Sequence, residues 1–181
     1  LLQARIEACG GRVARIPQTE CGDQLRAEWA GRTDQQVLIL GHFDTVWDVG
    51  QLAAMPIRTE DGRLCGPGVF DMKAGISMGL QAMRALHATG RMPASRVVML
   101  LTTDEETGSR LSRALIESEA QRSVAVLVLE PSLPGGALKT SRKGCGDYEL
   151  TIRGKAAHAG IDPLKGASAI RELARQILRI E

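Results

Sequence analysis

The stretch Gly41-His42-Phe43-Asp44-Thr45-Val46-Trp47 follows the apolar run Val37-Leu38-Ile39-Leu40. This run is short, rich in branched side chains and uncharged, so it predicts a buried β-strand. His42 and Asp44 then lie at or just beyond the end of that strand. Because residues i and i+2 of an extended chain point the same way, the Asp44 carboxylate can accept the second ring N–H of His42. Metal-binding histidines usually have such a partner, although an ordinary histidine beside a turn aspartate fits this stretch equally well.

Composition limits the classes of protein to which the chain can belong. It has 181 residues, of which 44% are hydrophobic and 24% are charged, and this is typical of a globular protein. The net charge is +2, and the sequence contains no long run of charges of one sign. Both features argue against a nucleic-acid or membrane-surface protein. No apolar stretch approaches the roughly 20 residues that a transmembrane helix requires.

The cysteines and the first residue bear on the cellular location. The four cysteines include no Cys-x-x-Cys pair, which disfavours a zinc–thiolate site and is typical of reduced thiols in an intracellular protein. We therefore predict a cytoplasmic location. A secreted or periplasmic form stays open, because the chain begins at Leu1 without an initiator methionine and its true N-terminus is not seen.

Uninterrupted apolar runs alternate with helical patterns along most of the chain. The runs 96–101 and 124–129 predict two further buried strands, and helices with apolar faces precede each of them; the second of these helices should have Leu111, Ala114 and Leu115 inward. An earlier strand is predicted over residues 24–30, where Leu25, Ala27 and Trp29 alternate on one face. This alternation predicts an α/β fold with a mixed, largely parallel sheet covered by helices. In such sheets ligands bind beyond the carboxyl ends of the strands. One imidazole and four carboxylates fall at strand or loop ends of this kind: His42, Asp71, Glu105, Glu106 and Glu130.

The pattern changes near residue 144. Residues 147–153 alternate between apolar and polar side chains, which predicts a half-exposed strand. A helix should follow, with five apolar residues turned inward: Ile170, Leu173, Ala174, Ile177 and Leu178. We therefore divide the chain into residues 1–143 and residues 144–181, the latter being the first strand and helix of a small α+β domain. Neither end carries a start or stop signal, so the chain is expected to be part of a longer protein.

The clustered acids suggest metal chemistry. Neighbouring carboxylates raise one another's pKa, and a fold tolerates several together mainly when a cation neutralises them. Imidazole and carboxylate donors suit Zn²⁺, or Mn²⁺ and Co²⁺. Glu105 and Glu106 are adjacent and point in different directions at a strand end. One of them can bind metal while the other acts as a base toward a metal-activated water. The alternative is that Asp104, Glu105 and Glu106 form a solvated acidic turn that suits the dipole of the next helix. Lys73 can neutralise these acids, although a surface lysine is the preferred interpretation.

Five motifs, taken in order, resemble a known enzyme family. They are His42-Phe43-Asp44-Thr45-Val46, Gly66-Pro67-Gly68 with Asp71-Met72-Lys73-Ala74-Gly75, Asp104-Glu105-Glu106-Thr107-Gly108-Ser109, Leu129-Glu130-Pro131, and His158-Ala159-Gly160. In order and spacing they look like the co-catalytic zinc metallopeptidase family of glutamate carboxypeptidase (carboxypeptidase G) and aminoacylase. Residues 139–144 and the segment around His158 are most similar to the glutamate carboxypeptidase branch.

The resemblance implies two zinc ions and a role for each residue of the motifs. Asp71 would bridge the ions, with His42 and Glu130 completing one ligand set and Glu106 belonging to the other. Asp44 would orient His42, and Glu105 would be the general base. His158 would stabilise the oxyanion from a lid domain that also forms a homodimer. The family's last zinc-ligand histidine has no counterpart here, so one ligand set of the two is complete.

The resemblance therefore predicts a metallo-carboxypeptidase or amidohydrolase with a zinc-peptidase-like catalytic domain and the start of a lid/dimerisation domain. It would release a C-terminal amino acid, with glutamate expected, from a small peptide or N-acyl conjugate, and it would bind neither nucleic acid nor membrane. An N-acyl-amino-acid deacylase is the alternative. A non-catalytic α/β binding module is a further alternative for this chain alone, which is expected to be inactive if it lacks a ligand. A nucleotide-binding Rossmann protein is disfavoured, because His-Phe-Asp stands where that fold needs a glycine-rich turn.

Overall fold

The structure is a computed structural model that describes residues 1–144 and 146–180. It forms two compact units, Leu1–Leu138 and Lys139–Glu181. The first unit contains a five-stranded sheet in the order β1-β2-β6-β3-β7. Its strands are β1 (Arg12–Ile16), β2 (Gln24–Trp29), β3 (Gln36–His42), β6 (Arg96–Thr102) and β7 (Ala125–Val128), and the separate hairpin consists of β4 (Arg58–Glu60) and β5 (Arg63–Cys65). The helices are α1 (Leu2–Glu7), α2 (Ala74–Ala88), α3 (Arg113–Gln121) and, in the second unit, α4 (Ala169–Ile180).

The sheet is mixed, as predicted. β3 pairs in parallel with both β6 and β7, whereas β1 pairs antiparallel with β2 and β2 pairs antiparallel with β6. In the parallel register His42 lies opposite Thr102, and Leu40 lies opposite Val128. The segments that follow β3, β6 and β7 therefore leave the sheet at one edge. This register brings the turn that carries Glu105 and the end of the strand before Glu130 close to His42.

The central strands are buried on both faces, which explains their uninterrupted apolar sequence. Ile39, Met99 and Leu101 belong to a core cluster with residues of α1 and α2. The alternate residues Leu38, Val98 and Leu100 form a second cluster, against which Leu115 and Ile116 of α3 pack. On β2 the alternating residues Leu25, Ala27 and Trp29 all belong to the first cluster, as predicted.

Two predictions about buried apolar residues in the first unit are wrong. Residues 124–129 were expected to be buried on both faces, yet Val126, Leu127 and Val128 are 40–54% exposed. β7 is the outer strand of the sheet and pairs only with β3 among the described residues, so its apolar side chains lack a complete cover. Leu111 was expected inside the helix that follows Glu106, but it lies before α3 begins and is 38% exposed.

The second unit also differs from the expectation. The strand predicted over residues 147–153 is not formed, and the ladder contact in this unit is an isolated bridge between Lys155 and Ala167. α4 forms where a helix was predicted, but its apolar residues, including Ile170 and Leu178, are exposed. A half-exposed strand needs a paired neighbour and an amphipathic helix needs a facing layer, and the described residues of this unit supply neither. No helix within residues 1–144 and 146–180 has the length and apolar composition to cross a bilayer.

Candidate metal centre

His42 lies at the centre of a ring of carboxylates. Its side chain ends β3 and is 2% exposed. Its Nε2 atom lies 3.0 Å from Oδ1 of Asp71, 3.4 Å from Oε1 of Glu130 and 3.9 Å from Oε2 of Glu105. The structure thus brings together one imidazole and three carboxylates from four separate segments of the chain, as the strand-end argument predicted.

The loop that carries Asp71 is tightly packed around Gly68. This glycine has a φ of +66°, and an added Cβ would lie 2.5 Å from Nζ of Lys73 and 2.5 Å from Cγ2 of Thr45. The amide of Lys73 donates a hydrogen bond to the carbonyl oxygen of Gly68 at 3.0 Å. A side chain at position 68 would therefore be strained by the positive φ and would displace the side chains of Lys73 and Thr45.

Lys73 belongs to the site and is not a surface lysine, so the preferred interpretation of this residue is wrong. Its side chain is half-buried, with Nζ close to Gly68 and Thr45. Burial lowers the pKa of Lys73 and outweighs the opposite effect of the carboxylates of Asp44, Asp71 and Glu106. A cation of this chain thus lies among the acids of the site.

A close backbone contact sets the relation between the Asp71 loop and Glu130. Gly75, in the first turn of α2, lies against Leu129, the residue after β7, and an added Cβ would be 2.0 Å from the carbonyl oxygen of Leu129. Glycine is the residue that allows such an approach. The helix that follows Asp71 therefore packs directly on the residue that precedes Glu130.

Glu105 and Glu106 stand on a turn between β6 and α3. The turn 105–107 is a single 3₁₀ turn, and α3 begins only at Arg113. The alternative of an acidic first turn on the next helix is therefore wrong for both residues. The amide of Glu106 donates a hydrogen bond to Oδ2 of Asp44 at 3.1 Å, which links the turn to the segment that carries His42.

The electrostatics of the cluster favour a bound cation. Burial and the neighbouring carboxylate of Asp71 raise the pKa of Glu106. Burial would lower the pKa of His42, but the carboxylates of Asp44, Glu105 and Glu130 outweigh this and raise it. Both shifts have the signature of excess negative charge in a small volume, which a metal ion would neutralise.

The donor atoms also fit a metal ion. One ligand atom each from His42, Asp71 and Glu106 lie within 4.8 Å of one another. Nδ1 of His42 and Oδ1 of Asp44 are 3.2 Å apart and both buried, yet the pair is not aligned as a hydrogen bond. A metal ion on Nε2 would fix the ring proton on Nδ1, beside this carboxylate. The imidazole and carboxylate set is one that zinc accepts.

An open cavity of about 220 Å³ adjoins this centre. Asp71 and Glu106 line it together with the apolar side chains of Val46, Trp47 and Phe70. The two carboxylates therefore face an open cavity with an apolar wall. The sequence motifs did not predict a place in the site for Trp47 or Phe70.

His158 lies in the second unit, where its Nδ1 accepts hydrogen bonds from the amides of Gly160 (3.1 Å) and Ile161 (3.2 Å). Its role toward the substrate stays a prediction. The structure does bring together the other six predicted residues: His42, Asp44, Asp71, Glu105, Glu106 and Glu130. Asp104, which no sequence signal distinguished from the acids beside it, is only 3% exposed.

Comparisons with known proteins point to one family. Residues 38–181 match the model of peptidase family M20/M25/M40. The chain is 34% identical to carboxypeptidase G2 of Pseudomonas sp. (strain RS-16) over 98% of its length, and 31% identical to a succinyl-diaminopimelate desuccinylase of Ectopseudomonas mendocina (strain ymp) over 97%. It spans only 44% and 50% of these two relatives. The fold is similar to that of an aminopeptidase PepT from Bacillus cereus ATCC 10987, with a TM-score of 0.71 at 23% identity over 98% of this chain and 49% of that chain.

Proposed function

The chain belongs to peptidase family M20/M25/M40, and on this premise we propose that the whole protein hydrolyses an amide bond with zinc as its cofactor. The observation that carries the proposal is the convergence of Asp71, Glu130 and Glu105 on Nε2 of His42, at 3.0 to 3.9 Å. A family match alone would not require these side chains to meet. Their meeting supports one zinc site with a base beside it, which is the arrangement that the proposal requires of this part of the protein.

Each residue of the cluster has a proposed task. His42, Asp71 and Glu130 would hold one ion, and Asp71 and Glu106 would contribute to a second. When bound, zinc polarises the scissile carbonyl group and lowers the pKa of water. Glu105 takes the proton from the attacking water and returns it to the leaving amine.

Asp44 supports this cluster from behind the ring of His42. Its Oδ1 atom lies 3.2 Å from Nδ1, so the carboxylate favours the tautomer with the proton on that nitrogen. Nε2 is then free to act as a ligand. Asp44 is therefore proposed to orient the imidazole and not to contact the substrate.

We infer the substrate class from the relatives and from the cavity. The first relative is a carboxypeptidase and the second removes a succinyl group, so both a carboxypeptidase and a deacylase activity are compatible with the family. The resemblance of the motifs to the glutamate carboxypeptidase branch favours release of a C-terminal glutamate from a peptide or N-acyl conjugate. The apolar wall of Val46, Trp47 and Phe70 is compatible with an acyl group larger than acetyl.

The remaining assignments rest on the resemblance alone. His158 is proposed to stabilise the oxyanion of the tetrahedral intermediate, and the second domain is proposed to form a homodimer. Sedimentation of the full-length protein would measure its oligomeric state. The predicted cytoplasmic location would be measured by cell fractionation.

The first experiment is a count of bound zinc. Native mass spectrometry of the zinc-equilibrated full-length protein should find two ions per chain, and residues 1–181 alone should bind one or none. Absence of zinc from the folded full-length protein would contradict the proposal and favour the non-catalytic binding module. Hydrolysis of a peptide that ends in glutamate, compared with hydrolysis of N-acetyl and N-succinyl amino acids by the same sample, would separate a carboxypeptidase from a deacylase.

The second experiment tests the base. Glu105→Gln should keep its zinc but lose about 10²- to 10⁴-fold in turnover, because the amide cannot accept a proton. The matched control is Glu117→Gln, which alters an exposed carboxylate of α3 and should leave turnover unchanged. Equal turnover in Glu105→Gln and the wild type would refute the role of Glu105.

A further inference from the structure

Asp104 is a buried carboxylate that the proposed chemistry does not use. It follows β6, precedes Glu105 directly, and is only 3% exposed. Its Oδ2 atom accepts hydrogen bonds from the amides of Leu111 (2.8 Å) and Ser112 (3.1 Å), seven and eight residues further along the chain. A charged side chain is seldom buried to this degree unless its partners are fixed.

The backbone of Asp104 binds the near part of the same turn. Its carbonyl oxygen accepts the amide of Ser109 at 2.7 Å, and it accepts both the amide and the hydroxyl group of Thr107, at 3.3 Å and 3.1 Å. One residue thus binds the turn at its middle through the carbonyl group and at its end through the carboxylate. The eight residues from 105 to 112 are closed into a loop whose ends both meet at Asp104.

We propose that Asp104 is a positioning residue that places Glu105 and Glu106 against His42. This inference rests on the proposed function and extends it to a residue that contacts neither the substrate nor a metal. It replaces the interpretation of Asp104 as one more acid near a helix N-terminus. The carboxylate fixes the path of the turn, and the path of the turn fixes where the two glutamates stand.

The turn needs such an anchor because it is otherwise held weakly. Gly108 and Ser109 both have positive φ values, +93° and +53°. An added Cβ on Gly108 would find no atom within 4 Å, so packing does not hold this point. Toward the His42 segment the turn makes the bond from the amide of Glu106 to Asp44 and the longer approach of Glu105 Oε2 to His42 Nε2, at 3.9 Å. Loss of the Asp104 carboxylate would leave the carbonyl bonds to Thr107 and Ser109 in place, but it would release the end of the turn at Leu111 and Ser112.

The consequence is measurable as zinc affinity, without reference to turnover. Loss of a residue that orients a metal ligand typically weakens metal binding by about 10- to 100-fold. We expect this loss in full-length Asp104→Ala, measured by competition with a chelator. Asp104→Asn should bind zinc within about threefold of the wild type, because the amide oxygen can accept the same two N–H groups.

A matched control separates positioning from general stability. Glu119 is another buried carboxylate, 1% exposed, and it bonds to Arg26 and Gln36 instead of to the turn. Glu119→Gln should lower the melting temperature and leave zinc affinity unchanged. Should Asp104→Ala not fold, Asp104→Ser takes its place, since a shorter hydroxyl group can keep one of the two bonds.

The outcomes are distinct. Weaker zinc binding in Asp104→Ala or Asp104→Ser, rescued in Asp104→Asn and absent in Glu119→Gln, supports the inference. Wild-type affinity in Asp104→Ala, or in Asp104→Ser where the alanine variant does not fold, overturns it, and so does an equal loss in Glu119→Gln. If the wild type itself binds no zinc, both the proposed function and the role of Asp104 fail. If the wild type binds zinc and the Asp104 variants bind it equally well, only the role of Asp104 is overturned.

Discussion

Replacement of Glu119 by alanine should destabilise the first unit more than any other loss of a single charge near α3. Oε1 of Glu119 accepts a hydrogen bond from Nε of Arg26 at 2.8 Å, and Oε2 accepts one from the buried amide of Gln36 at 2.8 Å. Arg122 also bonds to Oε1. The alanine variant would remove the common acceptor of all three groups and leave Arg26 and Gln36 with fewer partners.

The magnitude follows from the burial of each partner. Removal of one member of a buried ion pair costs about 3–5 kcal/mol. Two features place Glu119→Ala at the lower end, at about 3 kcal/mol: Arg26 keeps its ion pair with Glu28 at 2.9 Å, and Arg122 is half-exposed to water. Denaturation in urea, followed by circular dichroism, would measure the free energy of unfolding.

The control lies two residues away on the same helix. Glu117 pairs with Arg113 at 2.8 Å, but both side chains are more than half exposed, so Glu117→Ala should change stability little. If Glu119→Ala costs less than about 1 kcal/mol, or no more than Glu117→Ala, the burial argument is refuted.

The contribution of Glu119 to stability should also depend on pH. Burial would raise the pKa of Glu119, but the bonds from Arg26 and Gln36 outweigh this and hold it below its ordinary value. The contribution of a carboxyl group with a depressed pKa is present above the pKa of the unfolded chain and is lost as pH falls through the folded value. The difference between the wild type and Glu119→Ala should therefore shrink below about pH 4.

Three further predictions concern the site and the core. Lys73→Met should lower the melting temperature in chelator and tighten zinc binding, because a cation leaves the acidic cluster, whereas Lys165→Met should change neither; a loss of stability that zinc does not alter would contradict this. The carboxylates raise the pKa of His42 against the effect of burial. In the metal-free protein, charged His42 should therefore stabilise the fold at low pH, and this contribution should be lost as pH rises through that pKa. Zinc must displace the same proton, so its affinity should fall by up to about tenfold per pH unit below that pKa, and an affinity that is flat from about pH 5 to pH 8 would contradict this. Leu100→Ala should cost about 2–5 kcal/mol in urea denaturation because the side chain is fully buried, against less than about 0.5 kcal/mol for the exposed Leu64→Ala.

The sequence predicted the parts of the fold in which local pattern and packing agree. The run 37–40 became the centre of β3 because its side chains are apolar on both faces, and the sheet buries both. Alternation at Leu25, Ala27 and Trp29 identified the buried face of β2 for the same reason. Residues 124–129 have the same apolar character, but their exposure depends on the neighbours that the sheet order gives them, and no local pattern contains that order.

The candidate site divides in a similar way. Residues at strand ends, such as His42 and Glu130, could be predicted because parallel strands deliver their ends to one edge. Asp104 and Lys73 could not, since their roles depend on the path of a turn. The positive φ values at Gly108 and Ser109 bend the chain so that Asp104 meets Leu111, and that bend is a property of backbone geometry.

The contact between Gly75 and Leu129 makes one dimension of the site insensitive to side-chain variation. Where two elements meet through side chains, mutation can move them apart or together in small steps, and neighbours can adjust. Here the first turn of α2 rests on a carbonyl oxygen, with no side chain between them to trim or enlarge. Because backbone meets backbone at this contact, the two elements cannot come closer. The distance between the loop of Asp71 and the strand end before Glu130 is therefore set by the thickness of the polypeptide backbone. Evolution or engineering can retune the walls of the neighbouring cavity while this separation stays constant.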